Sequence, residues 1–218
     1  VTAEIILAVM GVETYYGRRT GRHPVLDSLV TLGFDYSKRG KFFRSELKHF
    51  LLLCREEGLP LKKLKGSYAG AMGKGQFISS SYRHYAVDKD GDGRRDLWNS
   101  DDDAIASIAN YFAKHGWRTG HPITQEMKTT AAEDSIEHGN KLKPKFSMDE
   151  MMAQGFSVEA SQAGPYSLVS LQNKKAREYW LGHHNFYVIT RYNHSAMYAM
   201  AVYQLSQELK KRIDLNAK

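Results

Sequence analysis

The sequence predicts an α+β fold, mainly helical, in which a small β-containing insertion interrupts a helical body. Three observations carry this. Apolar residues recur at helical spacing in several segments before residue 118. Near Thr119 the composition shifts to glycine, proline and short alternating runs. A helical stripe then returns close to the C-terminus. The expected arrangement is a first core section over 1–118, an insertion over 119–187, and a C-terminal helix within 188–218 that completes the core.

Residues 3–16 read as a helix ending near Gly17, with Ile6, Val9, Met10 and Glu13 on one face. KFFRSELKHFLLLCREEG keeps Phe43, Leu47, Phe50, Leu51 and Cys54 in helical register and stops at Gly58. Residues 67–87 hold a glycine-rich loop and a short polar helix. DDDAIASIANYFAKHGW opens with acids that suit a helix N-terminus and closes on Gly116. Within the insertion, SLVSL and FYVIT read as strands. The last helix has Met197, Met200, Ala201, Leu205 and Leu209 in register.

With 42% hydrophobic and 25% charged residues, the composition is that of a globular domain. No apolar run approaches the roughly 20 residues of a membrane-spanning helix. The chain opens on Val1 with a helical pattern already running at residue 3, as expected of a mature or trimmed fragment. The single cysteine, Cys54, excludes an internal disulfide and reads as a buried structural thiol. A formal charge of +7 points to an anionic partner. The basic residues are scattered and no zinc-finger, basic-zipper or RNA-recognition spacing occurs, which argues against nucleic acid.

Glu13 puts a carboxylate on an apolar stripe. Burial of such a group raises its pKa from about 4.3, and a rise of about two units makes it a proton donor near neutral pH. The alternative is a helix-end residue that faces solvent or pairs with Arg18 or Arg19. GSYAGAMGKGQFISSSY has four glycines in its first ten residues, but Tyr68 and Gly75 break the spacing of a phosphate loop. It fits a wall that a polymer approaches closely, with Ser67 and Gln76 as hydrogen-bonding groups, or else a plain tight turn.

DKDGDGRRDLWN places Asp88, Asp90, Asp92 and Asp96 at positions 1, 3, 5 and 9 of a calcium loop. Gly93 takes the sharp turn and Arg94 offers its backbone carbonyl. The pattern breaks at position 12, where Asn99 replaces the closing glutamate, and Arg95 sits where an apolar residue is usual. A lengthened loop closed by one of Asp101–Asp103 restores the ligand count, as a structural staple. His183 and His184 lack a chelating partner at helical spacing; Tyr111 alone reads as a core aromatic, and RYN at 191–193 as a strand end plus a cap.

Five blocks in order, GVETYYGRRTG, LKGSYAGAMGKGQFISSSY, AVDKDGDGRRDLW, DAIASIANYFAKHGW and VITRYNHSAMYAMAVYQL, resemble the B-type lytic murein transglycosylases, which cut peptidoglycan. The resemblance implies a goose-lysozyme-like helical core with a β-containing insertion and an EF-hand-like metal loop. It implies Glu13 as the one catalytic carboxylate, with Ser67 beside it. Gln76, Tyr111, Tyr192 and Asn193 match residues lining the sugar cleft, and Lys38 and Arg39 match a region facing the stem peptides. It also implies a structural calcium, or sodium in its place, at Asp88, Asp90, Asp92, Arg94, Asp96 and Asp103, with Asp102 the alternative closing ligand. No organic cofactor is implied. The family carries further helical sequence upstream that this chain lacks.

The activity so implied is non-hydrolytic cleavage between N-acetylmuramic acid and N-acetylglucosamine, leaving a 1,6-anhydromuramyl end, with Glu13 as acid and then base. Ordinary glycosidases use two carboxylates. The rival readings are a hydrolytic muramidase, which needs a second acid, and a non-enzymatic calcium-stabilised wall-binding module. The implied setting is the bacterial periplasm, as a soluble protein or an outer-membrane lipoprotein at full length. The implied partners are glycan strands and proteins of wall synthesis or remodelling, with the chain itself a monomer.

Overall fold

The computed structural model describes residues 1–130, 142–159, 162–174 and 176–216. The remainder of the expected insertion, including 131–141, lies outside the described residues. The protein is predominantly helical with two small antiparallel sheets. It divides into two compact units, Ala3–Tyr111 and Phe112–Lys218 with Val1–Thr2.

In the first unit, helix α1 (Ala3–Thr14) buries Ile5, Ile6, Ala8, Val9 and Met10. It stops two residues earlier than the apolar spacing suggested. Tyr15, Tyr16 and Gly17 all take left-handed backbone angles, with φ of 52°, 59° and 82°. The Tyr16 N–H reaches back to the Met10 carbonyl at 3.0 Å, satisfying a C-terminal helix acceptor. The chain then forms β1 (His23–Pro24), paired antiparallel with β2 (Lys65–Gly66). Only glycine fits where these segments meet: a Cβ on Gly21, at φ +100°, would lie 2.0 Å from the Gly66 carbonyl oxygen.

Helix α2 (Val25–Phe34) was not evident from the sequence, because only Val25, Leu29 and Gly33 are buried. It packs on α3 (Gly40–Glu56), where Arg44 donates to the Gly33 carbonyl at 2.6 Å. α3 buries Phe43, Phe50, Leu53 and Cys54. Leu51, expected inside, is exposed, and Glu46 is buried instead. The reason is local: the Glu46 carboxylate accepts the Ser80 N–H at 2.9 Å, at the start of α4 (Ser79–Tyr85). The Cys54 thiol is buried and is pushed up to about 11 by that burial, so it is an unreactive core group. Helix α5 (Asp101–Lys114) begins on three aspartates, as its composition implied.

The second unit contains a four-stranded antiparallel sheet in the order β4-β3-β6-β5. Its strands are β3 (Thr124–Thr129), β4 (Phe156–Ser157), β5 (Ser167–Gln172) and β6 (Arg177–Gly182). β5 is the SLVSL strand read from the sequence. A core of Met127, Phe146, Met151, Phe156, Tyr166, Leu168, Tyr179 and Leu181 joins the sheet to α6 (Met148–Ala153). FYVIT is not a strand; it lies in α7 (His184–Tyr192). β-Branched residues suggested extension, but Phe186 and Ile189, with Asn185 and Val188, are buried at helical spacing. The Asn185 amide ties this helix to the carbonyls of Arg118 and His121, at 2.8 and 3.0 Å. In α8 (Ala196–Asn216) the buried face carries Ala196, Ala199, Val202 and Ser206, while Met197 is 74% exposed.

Candidate active site

Glu13 is half-buried on the last turn of α1. The next residue fixes where that turn sits. Buried Thr14 donates its hydroxyl toward the carbonyls of Lys74, at 2.8 Å, and of Met10, at 3.2 Å. The same oxygen accepts the Gly17 N–H at 2.9 Å. The end of α1 is thereby held against the glycine-rich loop, and the left-handed Tyr15–Tyr16 pair starts immediately afterwards. Arg18, one candidate partner for Glu13, lies with its guanidinium 5.2 Å from the Tyr15 ring centre. Left-handed backbone at tyrosine is strained, and strain of this kind persists where surrounding contacts over-determine it.

The loop from Ser67 to Phe77 is pinned by its own side chains. The Ser67 hydroxyl accepts the N–H groups of Ala69 and Ala71, at 3.3 and 3.0 Å. Gln76, like Tyr15 and Tyr16, takes a positive φ, at 51°. Its amide nitrogen donates to Thr20 and Gly73 carbonyls, both at 3.0 Å, joining the loop to the segment that leaves α1. Tyr111, 8% exposed, lies 5.9 Å from the Phe77 ring and 4.8 Å from the Tyr85 ring. Glu13, Ser67, Gln76 and Tyr111 all belong to the first unit. Lys38 and Arg39 stand on the short turn between α2 and α3, where Arg39 lies 4.3 Å over Phe42. Tyr192 and Asn193 fall in the second unit, with the Tyr192 ring against Phe112.

In the acidic loop, Asp88, Asp90 and Asp103 present oxygens within 4.8 Å of one another. Asp103 is fully buried and its carboxylate accepts the Lys89 and Asp96 N–H groups at 2.7 and 2.8 Å. Asp102 is exposed and is not in this trio. Gly91 and Gly93 take positive φ and donate to Asp88 at 2.7 and 2.9 Å, curling the loop around its first carboxylate. Asp92 and Asp96 stand outside the trio. Asp92 accepts the Arg94 N–H, and Asp96 binds Trp98 and Asn99. Burial pushes the Asp96 carboxyl up, but the Asn99 and Trp98 hydrogen bonds and the Lys74 charge together hold it below the usual carboxylate range. Three gathered carboxylates with oxygen donors only suit a hard cation such as calcium.

A family model for the transglycosylase SLT domain matches residues 1–207. The chain belongs to the transglycosylase SLT-domain family. It is 45% identical over 209 residues to membrane-bound lytic murein transglycosylase B of Escherichia coli strain K12, covering 95% of this chain and 56% of that protein. The chain thus spans little more than half the length of this curated relative. Among solved structures it is similar to soluble lytic transglycosylase SltB1 of Pseudomonas aeruginosa, at TM-score 0.89 and 48% identity over 98% of this chain and 72% of that one. It is also similar to Escherichia coli lytic transglycosylase Slt35 in complex with calcium, at TM-score 0.87 and 45% identity over 95% and 65% of the two chains.

Within this SLT-domain chain, three site features escaped the sequence reading. Thr14 falls inside the helix that apolar spacing predicts over 3–16, and the signal of its role is a hydroxyl next to the acid at a helix end. The Tyr15–Tyr16 turn also falls inside that predicted helix, because aromatic residues carry no left-handed preference. Tyr198 stacks on Tyr192, with the rings 6.4 Å apart and only 4° from parallel, a pairing of residues on two helices that no local pattern announces.

Proposed function

We propose that this chain is the catalytic part of a lytic murein transglycosylase with a goose-lysozyme-like core. It would cleave the β-1,4 bond between N-acetylmuramic acid and N-acetylglucosamine without water. The carrying observation is Glu13, a half-buried carboxyl group at a helix end, fastened through Thr14 to the loop that bears Ser67 and Gln76.

Glu13 donates its proton to the glycosidic oxygen as the C1–O bond breaks, and N-acetylglucosamine leaves as the alcohol. The N-acetyl group of the muramic sugar stabilises the electron-poor C1. The Glu13 carboxylate then removes the proton from the C6 hydroxyl, whose oxygen bonds to C1. The result is a 1,6-anhydro ring and a regenerated acid, with no net water consumed. The attacking hydroxyl is tethered to the same sugar, so closure gains from proximity. In the proposed roles Ser67 supports the acid, Gln76, Tyr111, Tyr192 and Asn193 each bind sugar, and Lys38 and Arg39 meet stem peptides.

Asp88, Asp90 and Asp103, with Asp92, Asp96 and the Arg94 carbonyl completing an EF-hand-like loop, would hold calcium. The ion would neutralise the gathered carboxylates and staple the loop. The support is the carboxylate trio here and the calcium complex of the similar Escherichia coli enzyme. The setting is the bacterial periplasm, with the polymer's carboxylates attracted to a chain of charge +7.

Mass spectrometry of sugars released from murein sacculi tests the reading. Anhydromuramyl ends from the wild-type chain, and their loss in Glu13→Gln, are expected. Reducing ends, heavier by one water, would reject transglycosylation in favour of hydrolysis.

A further inference from the structure

A cavity of about 460 Å3 opens in the first unit, between the loop that follows α3, the start of β2 and the outgoing arm of the acidic loop. It contains none of Glu13, Ser67, Gln76 or Tyr111; of its lining, Thr20 accepts the Gln76 amide through its carbonyl and Gly21 lies against the Ser67 backbone nitrogen. Its walls are of two kinds. Leu59, Pro60, Leu64 and the Trp98 ring supply apolar surface. The Trp98 indole N–H donates to the Lys65 carbonyl at 3.2 Å, which fixes the plane of the ring.

The charges are lopsided. Two carboxylates and four basic side chains line the cavity. Glu57 is engaged by Arg95 through its backbone N–H and its guanidinium. Asp96 is engaged by Trp98 and Asn99. Lys63, Lys65 and Arg94 are exposed, and none makes an ion pair among the described residues. Three unpaired cations, set against the one carboxylate Asp96 that no cation of the lining pairs, give a net positive lining beside apolar surface, and with a volume in the usual range for ligand pockets they define the ligand class. It carries one or more carboxylates and a small apolar body.

We infer that this cavity is a second murein site that holds the carboxylate-bearing stem peptide of a glycan strand, apart from the sugar cleft. The inference rests on the proposed murein activity for the choice of peptide. In the bound state the peptide's terminal carboxylate lies among Lys63, Lys65 and Arg94, and its small side chains cover Leu64 and the Trp98 face. Such a site would hold the enzyme on the wall while the cleft engages sugar.

The test uses the full chain and the sugar-free stem tetrapeptide released from murein, followed by the indole N–H resonances in 1H–15N spectra. The chain has three tryptophans, and Trp98→Phe assigns the relevant signal. A saturable shift of the Trp98 signal is expected. The double reversal Lys63→Glu, Lys65→Glu should weaken binding at least about tenfold while spectral dispersion shows the fold intact, and raised salt should weaken the wild type. Lys38→Glu with Arg39→Glu should leave the Trp98 shift unchanged. A Trp98 signal that stays still at millimolar peptide, or moves equally in the double reversal, overturns the site. Anhydromuramyl product from the same samples separates the two readings: product without a peptide shift rejects only the second site, and a peptide shift without product rejects only the enzymatic reading.

Discussion

Thr14 donates its hydroxyl to the Lys74 carbonyl at 2.8 Å, sixty residues away in sequence and next to Glu13. This one oxygen also accepts the Gly17 N–H. Thr14→Val keeps the shape and removes both bonds, leaving a part-buried carbonyl and an N–H without this partner. A buried polar group that loses its partner costs about 1–3 kcal/mol. Urea unfolding should therefore show a loss of that size. If the bond also sets the position of Glu13, turnover should fall with little change in KM, whereas an unaltered turnover in a destabilised variant would confine Thr14 to stability.

Glu13→Gln retains size and hydrogen-bonding capacity but cannot give up a proton. Positioned acid–base groups contribute about 10²–10⁴ in rate, and Glu13 is assigned both halves of the proton cycle. Murein solubilisation should therefore fall at least about a hundredfold, with the melting temperature near that of the wild type. A variant working at the wild-type rate would remove Glu13 from the chemistry.

Much of this architecture is legible from local pattern. The acid on α1, the glycine-rich loop and the acidic loop each carry their chemistry in adjacent residues, and α3 and α5 announce themselves by spacing and end signals. What was hidden is long-range. FYVIT has strand composition, yet Asn185 and the burial of Phe186 and Ile189 make it helix. Glu46 looks like a solvated residue until the Ser80 N–H arrives from another helix. The tyrosine turn after α1 is fixed by Thr14 and Lys74, a contact that no window of neighbouring residues contains. In the acidic loop the spacing marks four aspartates and leaves the closing ligand among Asp101–Asp103; chain folding gathers Asp88 and Asp90 with Asp103, the residue the family resemblance implies.

That trio makes metal removal informative. An ion that binds only the folded chain stabilises it by about 2.7 kcal/mol at a hundred times its dissociation constant. For a domain of this size, each kcal/mol moves Tm by about 2–4 °C. Stripping calcium with a chelator should lower Tm by about 5–10 °C, and re-addition should restore it. In Asp103→Asn, which starts from a lower Tm because a buried carboxylate is altered, calcium should have little further effect. An identical melt before and after verified metal removal would reject a structural ion.

His183 supplies a pH dependence whose sign follows from its surroundings. It is buried at the start of α7, where its Nε2 lies 2.8 Å from the Gln125 side-chain oxygen and its ring packs edge-on to Tyr166. Burial, reinforced by the nearby His121, holds its pKa below the ordinary histidine value. Arg118, Lys143 and His184 line the same cavity, and among the described residues no carboxylate does. Between the lowered folded value and the ordinary value near 6.5, the unfolded chain binds more protons than the folded one. The contribution of His183 is therefore complete above about pH 6.5 and is lost as pH falls through the folded value. Melting curves from pH 7.5 to 5 should show the wild type losing stability more steeply than His183→Gln, which cannot take up the proton. The two should converge toward the acidic end, even if the variant is less stable at pH 7.5. Parallel curves across that range would show that His183 protonation does not couple to folding.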